Sequence, residues 1–387
     1  MFIQVPIRLA KVTRIIFRFT VGLMPEILIP EFYRMGFKKF RADLLFDGYR
    51  LLDNSHVLVT TEDYKIEEII NQEDAGDDVQ QLNGILSPGF INCHCHLELS
   101  HMKGLIPEGA GLVDFVSKII AQRHFPDEEI LAAIEKAETE MLENGIVAAG
   151  DICNNALSIH QKLKKRIWYH NFIEATGYHP QIAAQRFERS LGFFAAYAQL
   201  YSIPIESNSI TPHAPYSVAD ELWEKIIHFP GNHLFSIHNQ ENAGEDQWFK
   251  SKEGELKILY DILKTDVSYF QPSGKTSLQT YLPKFLHNQS VILVHNLYTS
   301  TADVLFANST NLQLHWCLCP NANWYISRRL PDIEMLMKHN CKLVLGTDSL
   351  ASNHQLSILE EIRTIRHHFP HINFENLLTW ATSNGSK

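Results

Sequence analysis

Two histidines stand one residue apart at the end of an apolar run, in Phe90-Ile-Asn-Cys-His-Cys-His. Residues two apart on a strand share a face, so His94 and His96 present their imidazoles about 7 Å apart at the backbone, close enough to share one metal ion. His238 closes a second apolar run, His295 closes a third, and Asp348 follows a fourth in Leu345-Gly-Thr-Asp-Ser. Glu241 lies three residues beyond His238, and a carboxylate beside an activated water is a natural proton carrier. Taken singly, each has an ordinary explanation: a hydrogen-bonded histidine, a helix-capping aspartate, a solvated glutamate. Their shared position decides the matter. All five strand-end residues sit where barrel enzymes place their chemistry, and they converge in space only if the strands close into a barrel. Three histidines and one aspartate suit zinc, and iron or manganese would also be accommodated.

The elements that must position these residues are legible as apolar runs. After Pro88-Gly89 eight candidate strands follow: 89–94, 146–152, 166–175, 207–212, 234–238, 291–295, 312–318 and 342–346. Helical stretches separate most of them, at 128–144, 185–201, 219–229, 278–285 and 357–368, with a further one at 374–381. Near-continuous apolar strands are expected where a parallel sheet is buried on both faces. The fold class is therefore α/β, a (β/α)8 TIM-like barrel, with a doubly wound open sheet as the alternative. Before the barrel, short strands at 41–46, 49–52, 56–60 and about 65–70, punctuated by Gly48, Asn54 and the run 71–78, read as part of a small β-sandwich.

The motifs, taken in order, resemble the amidohydrolase superfamily, in its aminohydrolase and chlorohydrolase group. They are Ser87-Pro-Gly-Phe-Ile-Asn-Cys-His-Cys-His, Thr211-Pro-His-Ala-Pro-Tyr-Ser, His238-Asn-Gln-Glu, Val294-His-Asn, Cys319-Pro-Asn-Ala-Asn and Leu345-Gly-Thr-Asp-Ser-Leu-Ala-Ser-Asn. The resemblance implies that His94, His96, His238 and Asp348 bind one divalent metal. It implies that Glu241, His295 and Asp348 handle the water and that His213 lies on the substrate side. Binuclear relatives carry a lysine on the fourth strand. Ser207-Asn-Ser-Ile-Thr-Pro-His has none, which favours a single ion. The other zinc-deaminase signature, His-x-Glu with Pro-Cys-x-x-Cys, is absent. The implied reaction is hydrolytic deamination of an amino-substituted ring.

The segment His96-Leu-Glu-Leu-Ser and the run 115–123 are similar to those of aminodeoxyfutalosine deaminases, which act on an adenine-type nucleoside bearing a benzoate. By that likeness Glu98 meets the sugar and Arg123 the carboxylate. Two plainer readings stay open: Glu98 as a partner of other site residues, and Arg123 as a solvated helix residue. Other aminopurine substrates stay open too, as do amide or chloride hydrolysis and a catalytically silent scaffold.

Composition bounds the partners. The 387 residues are 45% hydrophobic and 20% charged, with a net charge of −10, which argues against a nucleic-acid surface and for a small-molecule substrate. A homodimer stays open. Six cysteines are too few for a disulfide scaffold and fit a reducing cytoplasm. Period two predicts that Cys93 and Cys95 share a face turned away from His94 and His96 and pack, like Cys317 and Cys319, against helices. Residues 1–34 are apolar but interrupted by Arg8, Lys11, Arg14 and Arg18, so they make neither a membrane span nor a clean signal peptide. The expected organisation is an N-terminal extension over 1–34, part of a β-sandwich over 35–86, and a barrel over 87–387 whose chain does not return to the sandwich.

Overall fold

The computed structural model describes Phe2–Ile3, 36–200 and 207–386, so the expected extension over 1–34 lies, apart from Phe2–Ile3, outside the described residues. The chain divides into two units, Met1–Gly89 and Phe90–Lys387.

The first unit holds two four-stranded sheets. One orders Phe2–Ile3, Ile85–Leu86, Leu44–Phe46 and Leu51–Leu52; the other orders Ile66–Asn71, His56–Thr61, Phe37–Arg41 and Val79–Gln81. The expected strand over 41–46 breaks at Ala42-Asp43, because the chain changes sheets there. Asp43 fixes the crossing by accepting the Gly84 N–H at 2.6 Å. Phe40, Ala42, Leu45, Leu58 and Leu86 form the core of this unit. Tyr49 drops out of its expected strand because the Tyr49 and Arg50 N–H groups turn onto Asp47 Oδ1.

The second unit carries eight parallel strands in two arcs. In chain order they are Phe90–Cys95, Ile146–Cys153, Trp168–Ala175 and Asn208–Pro212, then Leu234–Asn239, Ser290–His295, Gln313–Leu318 and Leu343–Leu345. The arcs meet at both ends. Between the fourth and fifth strands, His238 N donates to His213 O at 3.0 Å and Ser236 N to Thr211 Oγ1 at 2.9 Å. Between the eighth and first, Thr347 N and Asp348 N both donate to His94 O at 3.0 Å, and the Asn92 and Thr347 side chains pair at 2.8 Å. The sheet is therefore a closed barrel and the open-sheet alternative falls. Ile91, Cys93, Ile152, Phe172, Ile292, Val294, Cys317 and Val344 form one buried cluster, with Leu234 packed against it. Only a barrel interior brings those seven strands together.

That cluster corrects the cysteine expectation. Ala149 faces Asn92 but Asp151 faces Cys95, so two steps along the second strand match three along the first. The extra residue is a β-bulge. It turns Cys93 into the interior cluster and sends Cys95 to Asp151, with Sγ 3.5 Å from Oδ1. Cys317 and Cys319 also lie in the interior cluster rather than against helices alone.

Helices follow the strands, and five fall within two residues of expectation at both ends: Asp127–Glu143, Ala183–Leu200, Asp220–Ile227, Ile358–His368 and Phe374–Ala381. The helix expected over 278–285 is shorter, Ser277–Tyr281 with a 3-10 turn at Leu282–Lys284, where Pro283 interrupts the α pattern. Among the described residues no helix is long and apolar enough to cross a membrane.

Candidate active site

The bulge does local work for the site. From His94 onward period two holds, and the imidazoles of His94 and His96 reach the barrel mouth with their Nε2 atoms 3.2 Å apart. The second ring nitrogens sort the donors. His238 Nδ1 donates to the His213 carbonyl at 2.8 Å, which leaves its Nε2 lone pair free to face the cluster. His94 Nδ1 shares a hydrogen bond with Ser236 Oγ at 3.2 Å. Asp348 Oδ2 accepts from Ser352 Oγ at 2.6 Å, and Oδ1 lies 3.3 Å from His96 Nε2 and 3.7 Å from His94 Nε2. One ligand-type atom from each of His94, His96, His238 and Asp348 falls within 4.8 Å of the others, and all four residues are buried.

Backbone strain gathers here. Gln240, His295, Asn296 and Asp348 have φ of 45°, 75°, 60° and 56°, a left-handed region uncommon for non-glycine residues. Gly346 meets a different demand, close approach: a Cβ there would lie 2.9 Å from both His94 O and Cys317 Sγ.

Burial sets the charge states. It pushes His96 and His295 well below the usual imidazole range and His213 and His238 to about 4, so the rings are neutral lone-pair donors. Against the upward push of its own burial, the surrounding imidazoles of His94, His96 and His295 hold Asp348 well below the carboxylate range. Glu241 goes the other way: burial, then the Asp348 and Glu245 charges, raise it well above that range. Its Oε1 lies 3.6 Å from His295 Nε2, which has no hydrogen-bond partner among the described residues. His295 Nδ1 is 3.0 Å from Asn323 Nδ2. His213 Nδ1 is 2.8 Å from Ser217 Oγ, and its ring lies 4.8 Å from that of His238.

A cavity of about 730 Å³ opens from this cluster, and His96, His213, His238, Glu241, His295 and Asp348 line it. Arg123 also lines it, but Glu98 does not. The 3-10 turn Leu97–Met102 carries Glu98 behind the wall, where Oε1 accepts from Arg123 Nη2 at 3.0 Å and Oε2 from Asn154 N at 2.9 Å. Three cavity residues carry little or no sequence signal. Glu174 ends the third strand, where its only mark is a carboxylate closing an apolar run. Arg186 and Arg189 are three apart on helix Ala183–Leu200 and join no ion pair among the described residues.

The donor set fits a divalent ion. Three imidazoles and a carboxylate whose ligand atoms converge in a buried cluster match the donor set of a four-coordinate divalent ion, which would lie between them. Glu241 is protonatable beside them, which suits transfer of a proton to or from a reacting water.

Comparison with known proteins gives the family and the fold. The profile of the Amidohydrolase family matches residues 85–387. A Helicobacter pylori protein named adenosine deaminase is 24% identical over 312 residues, covering 79% of this chain and 74% of that one. An aminodeoxyfutalosine deaminase of Nitratiruptor sp. is 24% identical over 288 residues, covering 73% and 67%. In fold, the chain is similar to the crystal structure of Helicobacter pylori aminofutalosine deaminase in complex with methylthio-coformycin, with a TM-score of 0.74, 23% identity and coverage of 90% and 86%.

Proposed function

The chain belongs to the amidohydrolase family, and from that premise we propose that it hydrolyses the exocyclic C–N bond of an aminopurine nucleoside, releasing ammonia. The observation that carries this reading is the buried, protonatable Glu241 beside four converging metal-ligand side chains at the mouth of a closed barrel. His94, His96, His238 and Asp348 would hold one ion, and three nitrogens with one oxygen suit Zn²⁺, with Fe²⁺ or Mn²⁺ as alternatives. When bound, the ion supplies Lewis acidity that brings a water's pKa toward neutrality.

The remaining work falls to the chain. Glu241 takes the proton of the attacking water and delivers it to the ring nitrogen beside the amino-bearing carbon. As the C–N bond breaks, Glu241 takes the remaining proton of the hydroxyl now on that carbon and passes it to the departing amino group, which leaves as ammonia, so the ring is left as the oxo product. His295, 3.6 Å from Glu241, and Asp348 orient the nucleophile toward the ring face. His213 borders the base from the substrate side. Phe115, Val116 and Ile119 give the cavity an apolar wall, and Arg123, Arg186 and Arg189 also line it. An aryl substituent carrying a carboxylate suits such a wall, in keeping with the relatives named for aminodeoxyfutalosine and aminofutalosine. All six cysteines are free, and we place the enzyme in a reducing cytoplasm.

The test is ammonia release by zinc-loaded protein from a panel of aminopurine nucleosides and bases, with a chlorinated triazine and a simple amide alongside. Turnover confined to the aminopurines is expected. Turnover of only the chloride or the amide overturns deamination.

A further inference from the structure

Three buried side-chain atoms of cavity-lining residues lack a hydrogen-bond partner among the described residues: His96 Nδ1, His295 Nε2 and Glu174 Oε1, of which only the last belongs to no proposed metal-binding or proton-transfer group. Glu174, at the end of the third strand, has a side chain 5% exposed. Its Oε2 accepts from Asn154 Nδ2 at 2.8 Å, while its Oε1 is buried without a hydrogen bond among the described residues. The nearest imidazole nitrogen, His238 Nδ1, is 3.9 Å away and already gives its proton to the His213 carbonyl. A buried carboxylate oxygen left unpaired costs free energy in the empty cavity, and that cost is recovered by a ligand that donates to it.

Position narrows the donor. Glu174, Asn154 and Thr176 make a polar belt on the cavity wall, and Glu174 adjoins the histidine cluster, its Oε1 3.9 Å from His238 Nδ1. A nucleoside with its base at the cluster and an apolar substituent outermost places its sugar at that belt. Glu98 has both oxygens engaged and does not line the cavity. We propose that Glu174 is the specificity-determining carboxylate that accepts hydrogen bonds from the hydroxyls of the substrate's sugar, Asn154 fixing its orientation. The proposal rests on the nucleoside reading of the site.

The experiment measures binding, so that it does not depend on turnover. In zinc-loaded Glu241→Gln protein, adenosine and 2′,3′-dideoxyadenosine are titrated by calorimetry. The first should bind about 10-fold or more tighter, the scale of one hydrogen bond to a charged acceptor. Adding Glu174→Ala should reduce the ratio to within about two-fold. The isosteric Glu174→Gln, which keeps one acceptor, should leave an intermediate ratio and takes the place of the alanine variant if that protein does not fold. Melting temperature and zinc content, measured alongside, should stay at the background values. A ratio near one in the background, or a full ratio in a folded Glu174→Ala protein, overturns the proposal. The two readings fail separately. Ammonia release by the parent with a ratio indifferent to Glu174 sinks the sugar contact alone; a Glu174-dependent ratio without ammonia release sinks deamination alone. Binding of neither nucleoside sinks both.

Discussion

Glu241 is the residue at which binding and chemistry separate. Burial and the Asp348 and Glu245 charges raise its affinity for a proton, which suits a group that takes up a proton and passes it on, whereas the ion is assigned to other side chains. Glu241→Gln is therefore expected to keep metal content and nucleoside affinity while turnover falls about 10²-fold or more, the scale of general acid–base catalysis. Parallel elemental analysis, calorimetry and ammonia assays check this, and near-parental turnover removes Glu241 from the mechanism. His96→Ala should behave oppositely and lose most of its metal, because three donors remain where four converge. Full occupancy in that variant sinks the ligand assignment. These residues are legible in the sequence because each falls at a strand end beside a recognisable motif. Glu174 is not, since a carboxylate closing a strand has no spacing to set it apart. Likeness of the segment after His96 to aminodeoxyfutalosine deaminases points Glu98 toward the sugar, yet a single 3-10 turn swings it to Arg123, in line with the plainer reading of Glu98 as a partner of other site residues.

Strands buried on both faces announce themselves as apolar runs, which is why the eight barrel strands are readable to within about two residues at either end. Irregularity within an element leaves no such trace. The bulge in Phe90–Cys95 depends on pairing with the second strand, and nothing in the local alternation reveals it. Helix Ile159–Lys162 is likewise too short to show a period, yet it delivers Lys162 into an ion pair with Asp151 in which both side chains are fully buried. Lys162 Nζ also donates to Asn171 Oδ1 at 2.7 Å, and Asp151 Oδ1 accepts from Leu97 N at 2.8 Å, directly beside His96. Lys162→Met strands a buried carboxylate and is expected to cost about 3–5 kcal/mol. The double variant with Asp151→Asn should recover a large part of that loss, because the uncompensated charge is gone. Urea unfolding of the two proteins checks the pair. A single variant within about 0.5 kcal/mol of the parent, the range of ordinary surface substitutions, would show that the buried pair does not hold the element in place.

For the whole molecule, the ion ties distant sequence together. Its four proposed ligands come from the ends of the first, fifth and eighth strands and span residues 94 to 348. Both arcs of the barrel therefore contribute to one site, in which the Nε2 atoms of His94 and His96 face one another 3.2 Å apart. An ion that binds the folded chain and not the unfolded one stabilises by RT ln(1 + [L]/Kd), about 2.7 kcal/mol at 100 Kd and about 4.1 kcal/mol at 1,000 Kd. For a unit as large as Phe90–Lys387 the unfolding entropy per residue sets a gain of about 1.5–2 °C in Tm per kcal/mol. Chelation should therefore lower the melting temperature by about 4–8 °C, and added zinc should restore it. The shift must come from this site to mean anything, and His96→Ala provides the comparison. Its melting temperature should already sit near that of the chelated parent and should scarcely respond to chelator or zinc. A parent indifferent to chelation, or a His96→Ala protein that responds as the parent does, would place the stabilising ion elsewhere or nowhere. Either result would leave the convergence of His94, His96, His238 and Asp348 without the cation that explains it.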